Sequence, residues 1–318
     1  MKPNAQVAKV QEFVGPALQA CLDHKVVETP YYSVFEVGQP YFDADEWALL
    51  SPVDLVLQQK IADLKPISHY LDVMQGFLSG ADSVFIIPKK AVPEGEDTIY
   101  ADYLPDRLIY KYSLPQRANE VLFSPFEDGQ PLTEIDLRRR YPQTWKYLTQ
   151  HKVELAARRA VTSGDTPWWR PVRPRDPKNM LRPKIVCPHL MLTPRFAVDV
   201  RGKYAVSHGP FFVTKTEDEE LNVLKYFCAV LNSSVCHWYL STYLPKYGRG
   251  YNRLEVSSIK RVPVPDPALV PPPAMRDILN LVSRAIKDGP STDIDRKIDG
   301  IIASLYGLTP SERDSVLS

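Results

Sequence analysis

Residues 74–87 read MQGFLSGADSVFII and form the most informative segment of the chain. Two glycines, Gly76 and Gly80, precede the apolar, strand-forming run at residues 84–87. Glycine reaches positive φ angles and has no side-chain bulk, so a loop at these positions can pass close to another backbone. The segment therefore predicts a close-packed loop that leads into a core strand.

The sequence on either side alternates between helical and strand patterns. Apolar spacing predicts helices over 52–64, 135–161, 275–287 and 294–305, a helix or helix pair over 217–242, and strands over 185–187, 196–200, 203–206 and 211–214. Proline accounts for 30 of the 318 residues and punctuates the loops. The predicted fold class is α+β, with a mixed β-sheet, packed helices and a C-terminal helical extension.

Charge is unevenly distributed along the chain. The net charge is +1, yet residues 138–203 contain 16 basic and 4 acidic residues, a local charge of +12. The remaining 23 basic and 34 acidic residues give a charge of −11. Basic side chains bind phosphates and aromatic rings stack on bases, so this pattern favours nucleic acid over a solvated face whose arginine stems pack on the core. The aromatic residues interleaved with the arginines are Trp145, Tyr147, Trp168 and Trp169.

Motifs for catalysis and for membrane insertion are missing from the sequence. No apolar run approaches the roughly 20 residues that span a bilayer, and residues 1–20 lack the pattern of a signal peptide. The four cysteines are sparse, as expected for reduced thiols, so we predict a cytoplasmic protein with no membrane contact. Glycine-rich nucleotide loops and hydrolase motifs do not occur, and Cys187–His189 and Cys236–His237 lack the usual zinc spacing. We expect no catalytic residue and no metal site.

The segment at 74–87 resembles the entry to the target recognition domain of gamma-class adenine-N6 DNA methyltransferases, a family that includes type IIG restriction-modification enzymes and phage-defence methylases. Further family-like motifs follow in the same order: RPKIV at 182–186, PRFAVD at 194–199, AVLNSS at 229–234, GYNR at 250–253, IKRVPVP at 259–265 and IIASLYGLT at 301–309. The resemblance extends from about residue 43 to 310. It divides the chain into a helix and strand lead-in over 1–42, a target recognition domain over 43–265, and a proline-rich linker with a two-helix extension over 266–318.

The resemblance implies a specificity module that binds double-stranded DNA while a catalytic subunit receives the flipped base. In the family, a glycine-rich S-adenosylmethionine motif and an Asn/Asp-Pro-Pro-Tyr/Phe motif precede this region. The nearest approach here is TPYY at residues 29–32, and about 40 residues precede the resemblance. We therefore expect no methyl transfer by this chain and no cofactor in it, with S-adenosylmethionine held by a partner catalytic subunit.

We predict a set of DNA contacts on the loops and basic strands of this region. Ser79 and Asp82 are expected to hydrogen-bond phosphate, to cap their loop, or to accept from cytosine N4. The alternative for their loop is a plain turn between core strands. Basic side chains are expected to contact phosphate or guanine, and their alternative is a solvated position at a strand edge. The full set is Ser79, Gly80, Asp82, Arg170, Arg182, Lys184, Arg195, Lys246, Arg249, Gly250, Tyr251 and Arg253. Other residues are expected to be structural, namely Trp168 and Trp169 in the core or an interface, and Asn232 and Ser233 in helix packing or capping.

The predicted function is sequence-specific binding of double-stranded DNA, as the specificity module of an adenine-N6 DNA methyltransferase or of a restriction-modification or phage-defence system. A separate chain or domain, a methyltransferase or defence-complex subunit, is expected to supply catalysis, so the chain is not an enzyme on its own. Two alternatives stay open. One is an interaction or inhibitor module that binds a methyltransferase without reading DNA, and the other is a nuclease with an unrecognised site.

Overall fold

The computed structural model of the protein describes residues 10–29, 32–36, 52–216, 220–244, 246–310 and 312–313. The chain divides into two compact units, one built from residues 1–63 and 310–316 and the other from residues 64–309. The domain boundaries predicted after residues 42 and 265 stay predictions. Among the described residues, no helix combines the length and the apolarity needed to cross a membrane. The cytoplasmic location also stays a prediction.

The described residues of the smaller unit form two helices and a short antiparallel pair. They are α1 (Val10–Leu22), α2 (Pro52–Ile61), β1 (Val27–Glu28) and β2 (Ser33–Val34). Helix α2 begins at a proline, whose fixed φ suits the first helical turn. Lys60 at the end of this helix pairs with Glu312 at 2.7 Å, so the C-terminal segment is tied to the same unit.

The larger unit contains the sheets. Its strands are β3 (Leu71–Gln75), β4 (Ile86–Pro88), β5 (Tyr100–Tyr103), β6 (Glu120–Phe123), β7 (Phe126–Glu127), β8 (Gln130–Pro131), β9 (Lys184–Val186), β10 (Leu190–Met191), β11 (Ala197–Asp199), β12 (Pro210–Thr214), β13 (Lys246–Tyr247) and β14 (Tyr251–Arg253). The central sheet has the antiparallel order β11-β9-β12-β3, a second sheet has the order β4-β6-β5, and a third has the order β10-β14-β13. Strands β7 and β8 form a separate hairpin.

Residues 205–207 connect the central sheet to the second sheet. Ala205 forms an isolated parallel bridge with Tyr103 at the end of β5, and Ser207 forms one with Phe77 just after β3. The pairings between the strands listed above are antiparallel, so these bridges supply the parallel part of the sheet structure. Together with the helices, they confirm the predicted α+β class.

The helices of the larger unit pack against two different sheets. They are α3 (Asp82–Phe85), α4 (Glu134–Arg140), α5 (Pro142–Gln150), α6 (Lys152–Ala156), α7 (Arg159–Thr162), α8 (Pro177–Met180), α9 (Glu220–Leu231), α10 (Ser234–Tyr243), α11 (Val256–Ile259), α12 (Pro272–Asp288) and α13 (Thr292–Leu305). Helix α9 packs on β9, β11 and β12, and α12 and α13 pack on α9. Residues 134–169 instead bury an aromatic core against the second sheet, including Phe85, Phe123 and Trp169.

The helix predicted over 135–161 is divided into α4 to α7. Thr133 caps α4 through a capping box with Asp136, and Pro142 occupies the first turn of α5. Proline lacks the backbone N–H of a continuing helix, so it starts a new one here. Of the helix or helix pair predicted over 217–242, the residues from 220 onward form the pair α9 and α10, and Ser233 caps α10 by accepting from the Cys236 N–H. Residues 217–219 lie outside the described part of the chain. The Asn232 side chain exchanges two hydrogen bonds with the backbone of Phe196, at 3.0 and 2.8 Å.

A buried ion pair joins the two strands β9 and β11. Lys184 and Asp199 face each other in register, and the Lys184 Nζ donates to Asp199 Oδ2 at 2.7 Å. The Asp199 carboxylate also accepts from the backbone N–H groups of Lys203 (3.0 Å) and Tyr204 (2.8 Å) and so closes the turn after β11. Burial lowers the pKa of Lys184, and the charge of Asp199 opposes this shift. The pair therefore holds the strand and its turn in one register.

Replacing Lys184 with methionine is expected to destabilise the protein by about 3–5 kcal/mol, because the Asp199 carboxylate is left buried without its cation. Urea unfolding measures this change, with Lys178→Met as the control, since Lys178 is exposed. An unfolding free energy for K184M equal to that of K178M would show that the pair adds nothing.

Candidate nucleic-acid interface

The antiparallel register gives the central sheet two distinct ends. Gln75, Val186, Ala197 and Pro210 lie at one of them, which we call the loop end. The loops 76–82, 187–189, 192–196 and 204–209 adjoin the strands there. The opposite end contains Leu71, Lys184, Asp199 and Thr214. Strand direction therefore separates the predicted contact residues of the central sheet and its loops into two groups, one at each end of the sheet.

Gly76 and Gly80 allow the first loop to pack tightly, as the sequence predicts. A Cβ on Gly76 would lie 2.8 Å from the Val206 carbonyl oxygen, closer than real Cβ atoms approach. Gly80 has a φ of 72°, and a Cβ there would lie 2.5 Å from a methyl group of Val172. The loop at 76–82 thus contacts the segments 204–209 and 170–173.

Ser79 and Asp82 hold this loop together. Ser79 is buried, its hydroxyl donates to the Asp82 carboxylate, and it accepts from the Ala81 N–H at 3.0 Å. Of the roles predicted for these two residues, the structure supports loop capping. Contact of the Ser79 side chain with phosphate or base is wrong for this conformation, because a buried hydroxyl with both functions engaged has no access to DNA.

Arg158 connects the loop to the segment that follows the helices. Its guanidinium donates to the carbonyl oxygens of Leu155 (2.9 Å), Ser79 (2.9 Å), Trp168 (2.7 Å) and Arg170 (2.9 Å). It also lies 5.1 Å from the centre of the Phe85 ring. Burial lowers the pKa of this guanidinium. The sequence motif around Arg158 did not identify this role, since backbone acceptors leave no trace in side-chain spacing.

Three arginines follow along the 170–175 segment. Arg170 is half-buried, and its Nε is buried without a hydrogen-bond partner. Arg173 pairs through its backbone with Leu78 and exposes its side chain, while Arg175 Nε donates to the Gly76 carbonyl at 3.2 Å. The loop end therefore gains Arg173 and Arg175, which the predicted set does not contain.

The hairpin of β13 and β14 forms a second basic element. Lys246 is exposed and donates to Asn252 Oδ1 at 2.5 Å, and Arg253 is exposed and pairs with Glu255 at 3.1 Å. Gly250 is exposed with a φ of 80°, and Tyr251 is half-buried. The side chain of Arg249 lies outside the described part of the structure.

This hairpin is attached to the loop end. Leu190 in β10 pairs with Arg253 in β14, and β10 begins directly after the loop 187–189. Arg195, half-buried in the neighbouring loop, donates to the Ile109 carbonyl at 3.5 Å. Asp106 accepts from the His189 N–H at 2.7 Å, and burial raises the pKa of its carboxyl. Basic groups from several loops, His189, His208 and Arg195, are thus brought together around one half-buried acid.

Two predicted contacts lie at the opposite end and are corrected here. Lys184 is fully buried in its pair with Asp199, so it cannot reach DNA. Arg182 donates to Thr214 Oγ1 at 3.1 Å and to Glu220 Oε1 at 2.7 Å, and this ion pair neutralises its charge. Both side chains hold the sheet to its neighbours. The RPKIV motif is therefore structural.

The described residues contain no cluster of three or more His, Cys, Asp or Glu side chains arranged for a metal ion. Cys187 is buried, its Sγ contacts the Pro210 carbonyl, and burial raises the pKa of its thiol well above the usual value. A thiol in this state is a poor nucleophile. What the loop end offers chemically is a concentration of cations on tightly held loops.

A family model matches the middle of the chain. Residues 132–264 match the TaqI-like C-terminal specificity domain. This match confirms the resemblance to a target recognition domain. The specificity-domain region contains the 170–175 arginines, the central strands β9, β11 and β12, and the β13–β14 hairpin, whereas the glycine loop 76–82 precedes it.

Curated relatives include the type II methyltransferase M.PaeR7I of Pseudomonas aeruginosa, 25% identical over 89% of this chain and 46% of its own length. The type II methyltransferase M.XhoI of Xanthomonas vasicola is 26% identical over 96% of this chain and 53% of its own length. The chain thus spans about half the length of these relatives. Among solved structures, the type IIG restriction endonuclease BpuSI is similar with a TM-score of 0.42 and 11% identity, over 84% of this chain and 34% of that one.

Replacing Arg158 with lysine is expected to destabilise the protein by about 2–3 kcal/mol, because one ammonium cannot serve four backbone carbonyls. Thermal or urea unfolding measures the loss, and limited proteolysis is expected to cut first near the loop 76–82. Arg159→Lys is the matched control, since Arg159 is adjacent and exposed. Equal stability of R158K and R159K would contradict this role for Arg158.

Proposed function

We propose that this chain binds double-stranded DNA sequence-specifically, as the specificity module of an adenine-N6 DNA methyltransferase in a restriction-modification or phage-defence system. One observation carries the proposal: the region that matches a specificity domain contains the segment with a local charge of +12. Duplex DNA carries one negative charge about every 1.7 Å of its axis, so a concentrated basic surface is suited to it.

Two kinds of contact are proposed for the loop end. Arg173, exposed beside the glycine loop, contacts backbone phosphates and positions the protein on the duplex. The β13–β14 hairpin enters the major groove, which admits a two-stranded ribbon. There, Arg253 binds a guanine edge or a flanking phosphate and Lys246 a phosphate. Gly80, Asp82, Arg170, Arg195, Arg249, Gly250 and Tyr251 remain proposed contacts or loop-shaping residues of the same surface.

Catalysis is proposed to come from a separate chain or domain that holds S-adenosylmethionine. The relatives that support this are methyltransferases about twice as long as the region they share with this chain. A base inside a duplex is inaccessible to a methyl donor, so the target adenine has to be flipped towards the catalytic partner. The module described here would hold the duplex on the opposite side.

Charge reversal at the loop end is expected to weaken DNA binding far more than the same change at the opposite end. Arg173→Glu should reduce affinity several-fold and lower the slope of log Kd against log salt by about 1, since one phosphate contact is lost. Fluorescence anisotropy with a labelled duplex measures both quantities.

Arg201→Glu is the matched control, because Arg201 is exposed next to the turn after β11 at the opposite end. Both variants carry the same net charge, so a general charge effect would weaken them equally. Equal weakening would show that the loop end is not the DNA surface.

The adenine-N6 part of the proposal is tested with a separate methyltransferase subunit that carries the Asn-Pro-Pro-Tyr motif. Duplex DNA incubated with both proteins and S-adenosylmethionine is digested to nucleosides and analysed by mass spectrometry. N6-methyladenine is expected only when both proteins are present. Methylcytosine would contradict the adenine assignment, and methylation by this chain alone would contradict separate catalysis.

A further inference from the structure

Two histidines from different loops meet at the loop end of the central sheet. His189 lies three residues after β9, and His208 lies two residues before β12. Their ring centroids are 6.4 Å apart with an angle of 55° between the planes. The folding of the sheet, and not their separation in sequence, brings them together.

The backbone fixes both residues firmly. The His189 N–H donates to Asp106 at 2.7 Å, and its carbonyl accepts from the Leu254 N–H at 2.9 Å. His208 has a φ of 58°, in the left-handed region, and its N–H donates to the Phe77 carbonyl at 3.1 Å. A non-glycine residue in this region is strained, and such strain is concentrated at functional sites. The exposed side chain of His208 is displayed by this strained position.

Several charged side chains from neighbouring segments act on this histidine pair. Burial first and the charge of Arg253 second lower the pKa of His189, while Asp106 and Glu255 act in the opposite direction. Arg195 adds a positive charge that acts on Asp106. The Nδ1 of His189 is buried without a hydrogen-bond partner. His189 therefore lies close to cations, and its pKa is lowered in the free protein.

We propose that His189, His208 and Arg253 together bind one backbone phosphate of duplex DNA, and that this contact takes up a proton. The inference rests on the proposed DNA-binding function. A phosphate adds a negative charge beside the two rings and offers acceptors to their N–H groups, so it stabilises the singly protonated pair. By linkage, a complex that binds more protons than the free components becomes tighter as pH falls.

The test measures the affinity of the full chain for a labelled duplex at constant ionic strength, between about pH 6 and about pH 8, where histidine titrates. Uptake of one proton tightens binding by at most about tenfold per pH unit. The expected gain for the native chain over this range is about five- to tenfold.

His208→Asn is the decisive variant, since asparagine tolerates the left-handed conformation and does not titrate. It should lose most of the pH dependence, and it should retain the native melting temperature. His24→Asn is the matched control: His24 is an exposed histidine with a φ of 52° in the smaller unit, so this variant should keep the full pH dependence.

A pH dependence that H208N retains would overturn the inference while leaving DNA binding intact, and so would a flat profile for the native chain. Failure of the native chain to bind duplex DNA at any pH would instead overturn the proposed function. A further arm with His189→Gln distinguishes the two rings, since loss of the pH dependence in both variants is expected for a shared proton.

Discussion

The guanidinium of Arg158 is the interaction on which the loop end depends. One planar group supplies donors to four backbone carbonyls, in the loop after β3, in the last turn of α6 and in residues 168–170. Without it these carbonyls would each lose a charged donor, although the Ser79 carbonyl would keep the Val172 N–H at 3.2 Å. A buried acceptor left without any partner costs about 1–3 kcal/mol. Arginine suits the position because its fork has fixed geometry and stays charged when partly buried. The basic surface is thus positioned by a basic residue that is itself unavailable to a ligand.

Basic residues at the two ends of the central sheet have different environments. At the end opposite the loops, Lys184 and Arg182 are neutralised by Asp199 and Glu220, and they fix strand register and the contact with α9. At the loop end, Arg173, Lys246 and Arg253 are exposed on rigid loops and a hairpin. Charges that are buried and paired stabilise a fold only when their partners are present, whereas exposed cations remain available to an outside anion. Basic residues therefore stabilise the fold at one end of the central sheet and remain accessible to a ligand at the other.

Much of the architecture was predictable from local pattern. The α+β class, the two terminal helices, the helix pair at 217–242 and the close-packed glycine loop all follow from periodicity, proline and glycine positions. The burial of Trp169 and the cap formed by Ser233 were also anticipated, because they follow from residue type and local position. The partner of Asn232 was not, since its side chain bonds the backbone of Phe196, 36 residues away in sequence. The prediction of one long helix over 135–161 was wrong, since the propensities of individual residues do not show where tertiary packing ends each short helix.

By itself, the sequence determined that a strongly basic middle segment would be combined with glycine-shaped loops in an α+β fold, because composition and spacing are properties of the chain. Only the tertiary structure decided which of the basic residues stay accessible. Strand register placed Lys184 opposite Asp199 and turned it inward, and it brought His189 and His208 together across 19 residues of sequence. Burial and pairing depend on partners from distant segments, so a residue's charge can be read from the sequence while its role cannot.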